Sequence, residues 1–278
     1  SSPVQVGTDT TWAHVSINRN TWATKTDGTL WTQGYNIYGQ LGQNNRTNCS
    51  SPTQLPGTDW NTVGSGRGSV ATAVKTDGTL WICGYNGGGT LGLNQSPSTR
   101  GNISSPAQIP GTWSKCTSFQ DGCIGLKTDG TLWSWGYGTA SGRGEYGTRS
   151  SPTQIPGTTV WTDVSGGYNA AGGITNGGEL YTWGNNAQGQ LGLNDTTNRP
   201  SPVQIPGTNW RSVAASYDWM AATKTDGSLW VWGWDDYGKF GLNRNPHSVR
   251  ISSPTQIPGT WKADIAPRGR FFQAMRQG

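Results

Sequence analysis

Lys127-Thr128-Asp129-Gly130-Thr131-Leu132-Trp133-Ser134-Trp135-Gly136 is the stretch on which the fold of this chain turns. Asp-Gly between two strand-like runs is a strong hairpin signal and reads as a two-residue turn, because the backbone there needs positive φ, which glycine tolerates. The alternating stretch ending at Lys127 reads as one strand, and Thr131 to Gly136 as the next. The first seven residues of the motif also start at Lys25 and Lys75, and return from Lys224 to Trp230 with Ser228 in place of Thr. A degenerate copy runs from Thr175 to Tyr181. A period of about 50 residues is the mark of a repeat architecture.

A second element keeps the same spacing. Ser-Pro recurs at Pro3, Pro52, Pro106, Pro152, Pro202 and Pro254, each followed by Gln and an aliphatic residue. A Gly-Thr then leads to Trp12, Trp60, Trp113, Trp161, Trp210 and Trp261. Each unit therefore divides into four strand-sized pieces. Piece A starts at this tryptophan, and piece B is the alternating run that ends at Lys. Piece C is Thr-Leu-Trp-x-Trp-Gly, and piece D is Ser-Pro-x-Gln-Ile, where proline suits an edge strand because it cannot donate to a ladder. Four short antiparallel strands per unit, repeated along the chain, describe an all-β protein: a single β-propeller of four-stranded blades. The units lie near residues 7–56, 57–110, 111–156, 157–206 and 207–258, with a partial unit at 259–278 joined to 1–6. Six blades with an incomplete closing blade is the expected count, and seven in a longer parent chain the alternative.

Composition agrees with this reading and excludes others. The 278 residues include 43 Gly, 15 Pro and 16 Trp, with only 13% charged, which argues against coiled coils and charge-driven disorder. Tryptophans bury enough area to build a core from few large residues. Net charge is +5, but no two basic residues adjoin, so a nucleic-acid arm is not expected. No apolar run is long enough for a membrane span. With Ser1 in place of an initiator Met, a processed, excised or partial product is expected. Cys49, Cys83, Cys116 and Cys123 show no C-x-x-C spacing and read as free thiols.

Tyr35-Asn-Ile-Tyr-Gly-Gln-Leu-Gly42 and Gly184-Asn-Asn-Ala-Gln-Gly-Gln-Leu-Gly192 resemble the repeat of the regulator-of-chromosome-condensation family, repeat after repeat. The resemblance implies a propeller with piece A lining the axis and piece D at the rim. Copies this alike point to recent amplification, a style that resembles environmental bacterial and phage proteins. That resemblance implies a virion or cell-surface role, structural or adhesive. The nucleotide-exchange role of the founding member is associated with a wedge-like insertion, and no comparably long insertion is present.

No catalytic constellation emerges. His14 and His247 stand apart from any Cys, Asp or Glu at metal-ligand or triad spacing, so no metal or other cofactor is expected. Asp27, Asp77, Asp129 and Asp226 are periodic and precede Gly, which makes them turn residues rather than a carboxylate array. The Gly-x-x-Gly runs lack a following Gly-Lys-Ser/Thr, and chance explains the glycosylation triplets in Asn-rich loops. Thirteen of the sixteen tryptophans fall at repeat positions, which leaves Trp22, Trp219 and Trp234.

Comparing the copies with one another separates two faces. The B–C turn is nearly always Thr-Asp-Gly and the D–A link nearly always Pro-Gly-Thr, so that face repeats itself. The A–B tips and C–D loops vary and carry eight of the nine tyrosines. Tyrosine mixed with Gly, Asn, Ser and Arg gives large amphipathic contact area at low entropic cost, as in paratopes. The expected binding residues are Arg19, Tyr38, Arg67, Asp121, Tyr168, Tyr217, Asp218, Trp219, Tyr237, Arg268 and Arg270. They form a cationic arc of arginines opposite an aromatic, weakly acidic arc. The function expected is a non-enzymatic module binding a protein or glycan on this face. The alternative is an intracellular regulator of chromatin or a small GTPase.

Overall fold

A computed structural model describes residues 8–17, 19–65, 69–95, 101–145, 147–236, 238–242, 249–268 and 271–276. The first blade is built from β1 (Trp12–Ile17), β2 (Asn20–Lys25), β3 (Leu30–Gly34) and β4 (Cys49–Leu55). The second holds β5 (Trp60–Ser65), β6 (Val70–Lys75), β7 (Leu80–Gly84) and β8 (Ile103–Ile109). The third holds β9 (Trp113–Phe119), β10 (Asp121–Lys127), β11 (Leu132–Tyr137) and β12 (Arg149–Gln154). The fourth holds β13 (Trp161–Gly166), β14 (Ala170–Thr175), β15 (Leu180–Gly184) and β16 (Arg199–Ile205). The fifth holds β17 (Trp210–Ala215), β18 (Trp219–Lys224), β19 (Leu229–Asp235) and β20 (Val249–Ile257). β21 (Trp261–Arg268) and β22 (Phe271–Arg276) pair as a two-stranded sixth sheet.

Every sheet is an antiparallel meander in chain order, so the all-β propeller with one incomplete blade stands as expected. The strand expected to close the ring, Ser1 to Val6, lies outside the described residues. First strands of successive blades touch one another (β1 with β5, β5 with β9, β9 with β13, and onward to β21), which puts piece A innermost. Their approach is close enough to demand glycine: a Cβ on Gly64 would collide with the carbonyl of Cys116.

The Thr-Asp-Gly turn departs from the two-residue hairpin expected. Lys25 N–H donates to the Thr29 carbonyl and Gly28 N–H to the Lys25 carbonyl, both at 3.0 Å, so the loop has three residues, Thr26, Asp27 and Gly28. Only Gly28 is at positive φ, at 78°, in the manner of a turn followed by a glycine bulge. The side chains explain the preference. Asp27 Oδ1 accepts from Thr29 N–H at 2.9 Å and from its hydroxyl at 2.7 Å, and Thr29 Oγ1 accepts from the indole of Trp31 at 3.0 Å. The same relay links Asp77, Thr79 and Trp81, and Asp129, Thr131 and Trp133. The heptapeptide is thus one hydrogen-bonded turn.

These turns also join the blades. The Gly28 carbonyl accepts from Trp60 N–H at 3.0 Å, Gly78 from Trp113 at 2.8 Å, Gly130 from Trp161 at 2.9 Å, Gly178 from Trp210 at 3.0 Å and Gly227 from Trp261 at 2.8 Å. That face is constant because it is a structural seam. Between blades the core is layered: Trp22, Leu30 and Leu55 of the first blade pack on Trp60, Ala73 and Cys83 of the second. A third set of bonds crosses the same interfaces. Trp135, Trp183 and Trp232 donate their indole N–H to the carbonyls of Thr90, Ala140 and Gln190 in the preceding blade, each at 2.9 Å.

Candidate binding face

The A–B tips and C–D loops emerge together, opposite the Thr-Asp-Gly turns. Thr90 Oγ1 in a C–D loop donates to the Asp121 carbonyl at the next blade's A–B tip at 3.1 Å, and Thr139 Oγ1 does the same to Asn169 at 2.9 Å. The loops keep their shape through one repeated bond: the side-chain oxygens of Asn36, Asn86, Asn186 and Asp235 accept from the N–H of Leu41, Leu91, Leu191 and Phe240.

The tips of the third, fourth and fifth blades are linked by backbone. Gln120 N–H donates to the Tyr168 carbonyl and Tyr168 N–H to the Ser216 carbonyl, both at 2.9 Å. Gly167 makes this possible, because a Cβ there would collide with the Ser216 carbonyl. The chain of bonds brings Tyr168 and Tyr217 face to face, with centroids 4.6 Å apart and rings within 10° of parallel. Tyr217 is 41% exposed and Tyr168 half-buried. A second tyrosine pair spans the first two blades: Tyr38 and Tyr85 lie 5.2 Å apart at 59°. Tyrosines of this face therefore pack across blades.

Asp121 opens β10 half-buried beside this ledge, and burial raises its carboxyl above the usual carboxylate range. Arg19 is exposed at the first tip, and its carbonyl accepts from Tyr35 N–H at 3.1 Å. Arg67, Tyr237 and Arg270 lie outside the described residues. Arg268 ends β21, and its side chain is outside them too.

The structure corrects two expected contact residues. Trp219 is fully buried, because β18 begins there and its ring packs edge-on against Phe240 at 6.2 Å. Asp218 is only 5% exposed; its carboxylate meets Lys239 Nζ at 3.3 Å, and Asp236 meets the same ammonium at 2.6 Å. Lys239 stands where Gln40, Thr90 and Gln190 stand in other blades, and that substitution is visible once the copies are aligned. The aromatic arc thus reduces to the stacked tyrosines, and Asp218 is paired from within by Lys239. Among the described residues no group of three or more His, Cys, Asp or Glu is placed to hold a metal, and no helix is long and apolar enough to cross a membrane.

Comparison with known proteins places this architecture. Residues 27–71, 177–222 and 226–265 match the family model described as the regulator of chromosome condensation (RCC1) repeat. Over 121 residues the chain is 34% identical to the X-linked retinitis pigmentosa GTPase regulator homolog of Caenorhabditis elegans. That match takes in 35% of this chain and spans about 9% of the relative's length. Human WBSCR16 superposes with a TM-score of 0.79 at 23% identity, covering 92% of this chain and 69% of the other. Yeast RCC1 (Prp20), in its crystal structure bound to Kap60, gives 0.59 at 15%, covering 96% and 81%. A second Saccharomyces cerevisiae Prp20p structure, described with its binding properties to Gsp1p and histones, gives 0.59 at 15%, covering 96% and 83%.

Proposed function

We propose, from the premise that this propeller carries RCC1 repeats, that the chain is a non-enzymatic module that recognises a protein partner on its A–B/C–D face. One observation carries the reading: the Tyr168–Tyr217 stack stands on tips fixed by backbone hydrogen bonds between blades. A rigid aromatic pair offers contact area without a further ordering cost, which is what a binding hot spot requires. Function on a rigid scaffold also concentrates in its variable loops. The near-identity of the copies favours a virion or cell surface as the setting. The names of the yeast and nematode relatives favour the second reading, an intracellular regulator that meets a small GTPase or histones.

Direct binding to a purified Gsp1-type GTPase, to a histone octamer and to a glycan array tests these readings side by side. Protein binding that falls at least about tenfold in Tyr217→Ala supports the proposed face. Binding confined to the glycan array replaces the protein partner with a sugar. Binding insensitive to Tyr168→Ala and Tyr217→Ala, yet lost on changing the Thr-Asp-Gly turns, puts the site on the opposite face.

A further inference from the structure

The constant face holds a different kind of site, independent of the binding face proposed above. In four blades the lysine that ends the second strand lies between two tryptophan rings. Lys25 lies over Trp12 and Trp31, Lys75 over Trp60 and Trp81, Lys127 over Trp113 and Trp133, and Lys224 over Trp210 and Trp230. The clamp is the same, but its remaining partners are not.

In the second blade the clamp satisfies itself. Asp59 Oδ1 meets Lys75 Nζ at 3.1 Å, and the Trp60 indole donates to the Pro56 carbonyl at 3.0 Å. The first blade likewise pairs Lys25 with Asp9. In the third, Lys127 forms no ion pair among the described residues and feels Asp129 only through space, but the Trp113 indole still donates to the Pro110 carbonyl at 3.3 Å. The fifth blade has lost both. Asn209 replaces Asp59 and sits exposed at φ 69°, so Lys224 has no ion pair among the described residues. The indole N–H of Trp210, a residue only 4% exposed, has no hydrogen-bond partner. A buried donor without an acceptor is uncommon and calls for one.

The unpartnered indole and the ammonium, which feels the turn carboxylate of Asp226 only through space, converge. A Cβ built on Gly207 would lie 3.8 Å from Lys224 Nζ and 4.0 Å from Trp210 Nε1. The matching point at Gly57 lies 3.9 Å from Lys75 Nζ, 3.2 Å from Trp60 Nε1 and 3.1 Å from Asp59 Oδ1. The second blade thus shows which group belongs beside this pair of donors: a carboxylate. Between the fourth and fifth blades the place opens into a cavity of about 440 Å³. Leu193, Ile205, Pro206 and Pro254 are its apolar walls, with Trp210, Lys224 and Trp230 at its head. Its volume lies within the small-molecule range, and it is a half-open groove, apolar with a few polar groups at one end.

We propose that this groove binds an organic carboxylate with an apolar body, the acid head taking the ammonium of Lys224 and the indole N–H of Trp210. Sodium benzoate is the probe, benzamide its neutral counterpart and inorganic phosphate the competing anion. The readout is the indole N–H resonance of Trp210, assigned with Trp210→Phe, in the intact chain. Benzoate is expected to shift that resonance saturably in the millimolar range while benzamide leaves it in place. Lys224→Gln and Asn209→Asp should each weaken binding at least about tenfold, the second by supplying the carboxylate that Asp59 supplies in the second blade. Asn209→Asp puts a carboxylate at the sequence position that Asp59 holds in the second blade, and its response keeps the test decisive even if Lys224→Gln fails to fold. The proposal is overturned by no saturable shift with benzoate, by an equal response to benzamide or phosphate, or by undiminished binding to Asn209→Asp.

Discussion

The indole of Trp22 donates to the carbonyl of Gln40 at 2.9 Å, within its own blade, and shares a buried cluster with Cys83 of the next. Cys83 holds the position from which Trp135, Trp183 and Trp232 reach back to Thr90, Ala140 and Gln190. Trp22 and Cys83 share one buried cluster, so the ring of Trp22 fills the space the smaller side chain leaves. Trp22→Phe is expected to cost about 1–2 kcal/mol, the lower part of the range because Asn20 Nδ2 also reaches that carbonyl at 3.3 Å. Cys83→Trp alone should destabilise by about 1–3 kcal/mol through overpacking. Combined with Trp22→Thr it should recover most of that loss, and urea unfolding of the wild type, Trp22→Thr, Cys83→Trp and the double variant measures the coupling.

The turn aspartates set an acid limit. Asp27 and Asp77 are held below the usual carboxylate range first by the backbone N–H of the residue two on, Asp129 and Asp226 first by its hydroxyl. A depressed carboxylate stabilises the fold fully above its unfolded value and loses that contribution as pH falls through the folded one. Stability should therefore be level in this respect near neutrality and decline below about pH 4. Asp→Asn at all four turns should flatten the decline, as read from denaturant midpoints between neutral and acid pH.

Lys239 is buried with two carboxylates, its side chain 1% exposed and those of Asp218 and Asp236 both 7%. Removing the ammonium leaves two buried acids without their cation. Lys239→Met should cost about 3–5 kcal/mol in urea unfolding, far more than an exposed change such as Arg19→Ala, which should stay within about 0.5 kcal/mol.

The stacked tyrosines should be coupled in the free protein. A double-mutant cycle of Tyr168→Leu and Tyr217→Leu is expected to return about 0.5–1.5 kcal/mol of interaction. A null result would mean that the tips are held by their backbone bonds alone.

Repetition is what made the fold legible. Every strand of the five full blades lies where a piece of the unit was read, because turn, tryptophan and proline recur in fixed order. The loop at Thr-Asp-Gly is one residue longer than its dipeptide implies, because Asp27 stabilises the ordinary right-handed turn through Thr29. At the candidate face, Trp219 differs from the expected tip residue by a single position: the strand starts on it and turns its ring into the core. Asp218 was misread for another reason, since its cation lies 21 residues away in the next loop. The stack of Tyr168 on Tyr217 joins two blades, and no spacing within one repeat records such a contact.

The crossing indoles of Trp135, Trp183 and Trp232 bond to main-chain carbonyls, and those carbonyls belong to residues as different as Thr90, Ala140 and Gln190. A carbonyl is supplied by any amino acid. The crossing bond itself is therefore indifferent to which side chain stands there, although Thr90 and Lys239 each add contacts of their own. As far as this bond is concerned, one blade can diversify without its neighbour's tryptophan having to adapt. Fidelity is demanded of the tryptophan and the turn, and novelty is left to the loop, which is the division of labour on which recombination among tandem copies thrives.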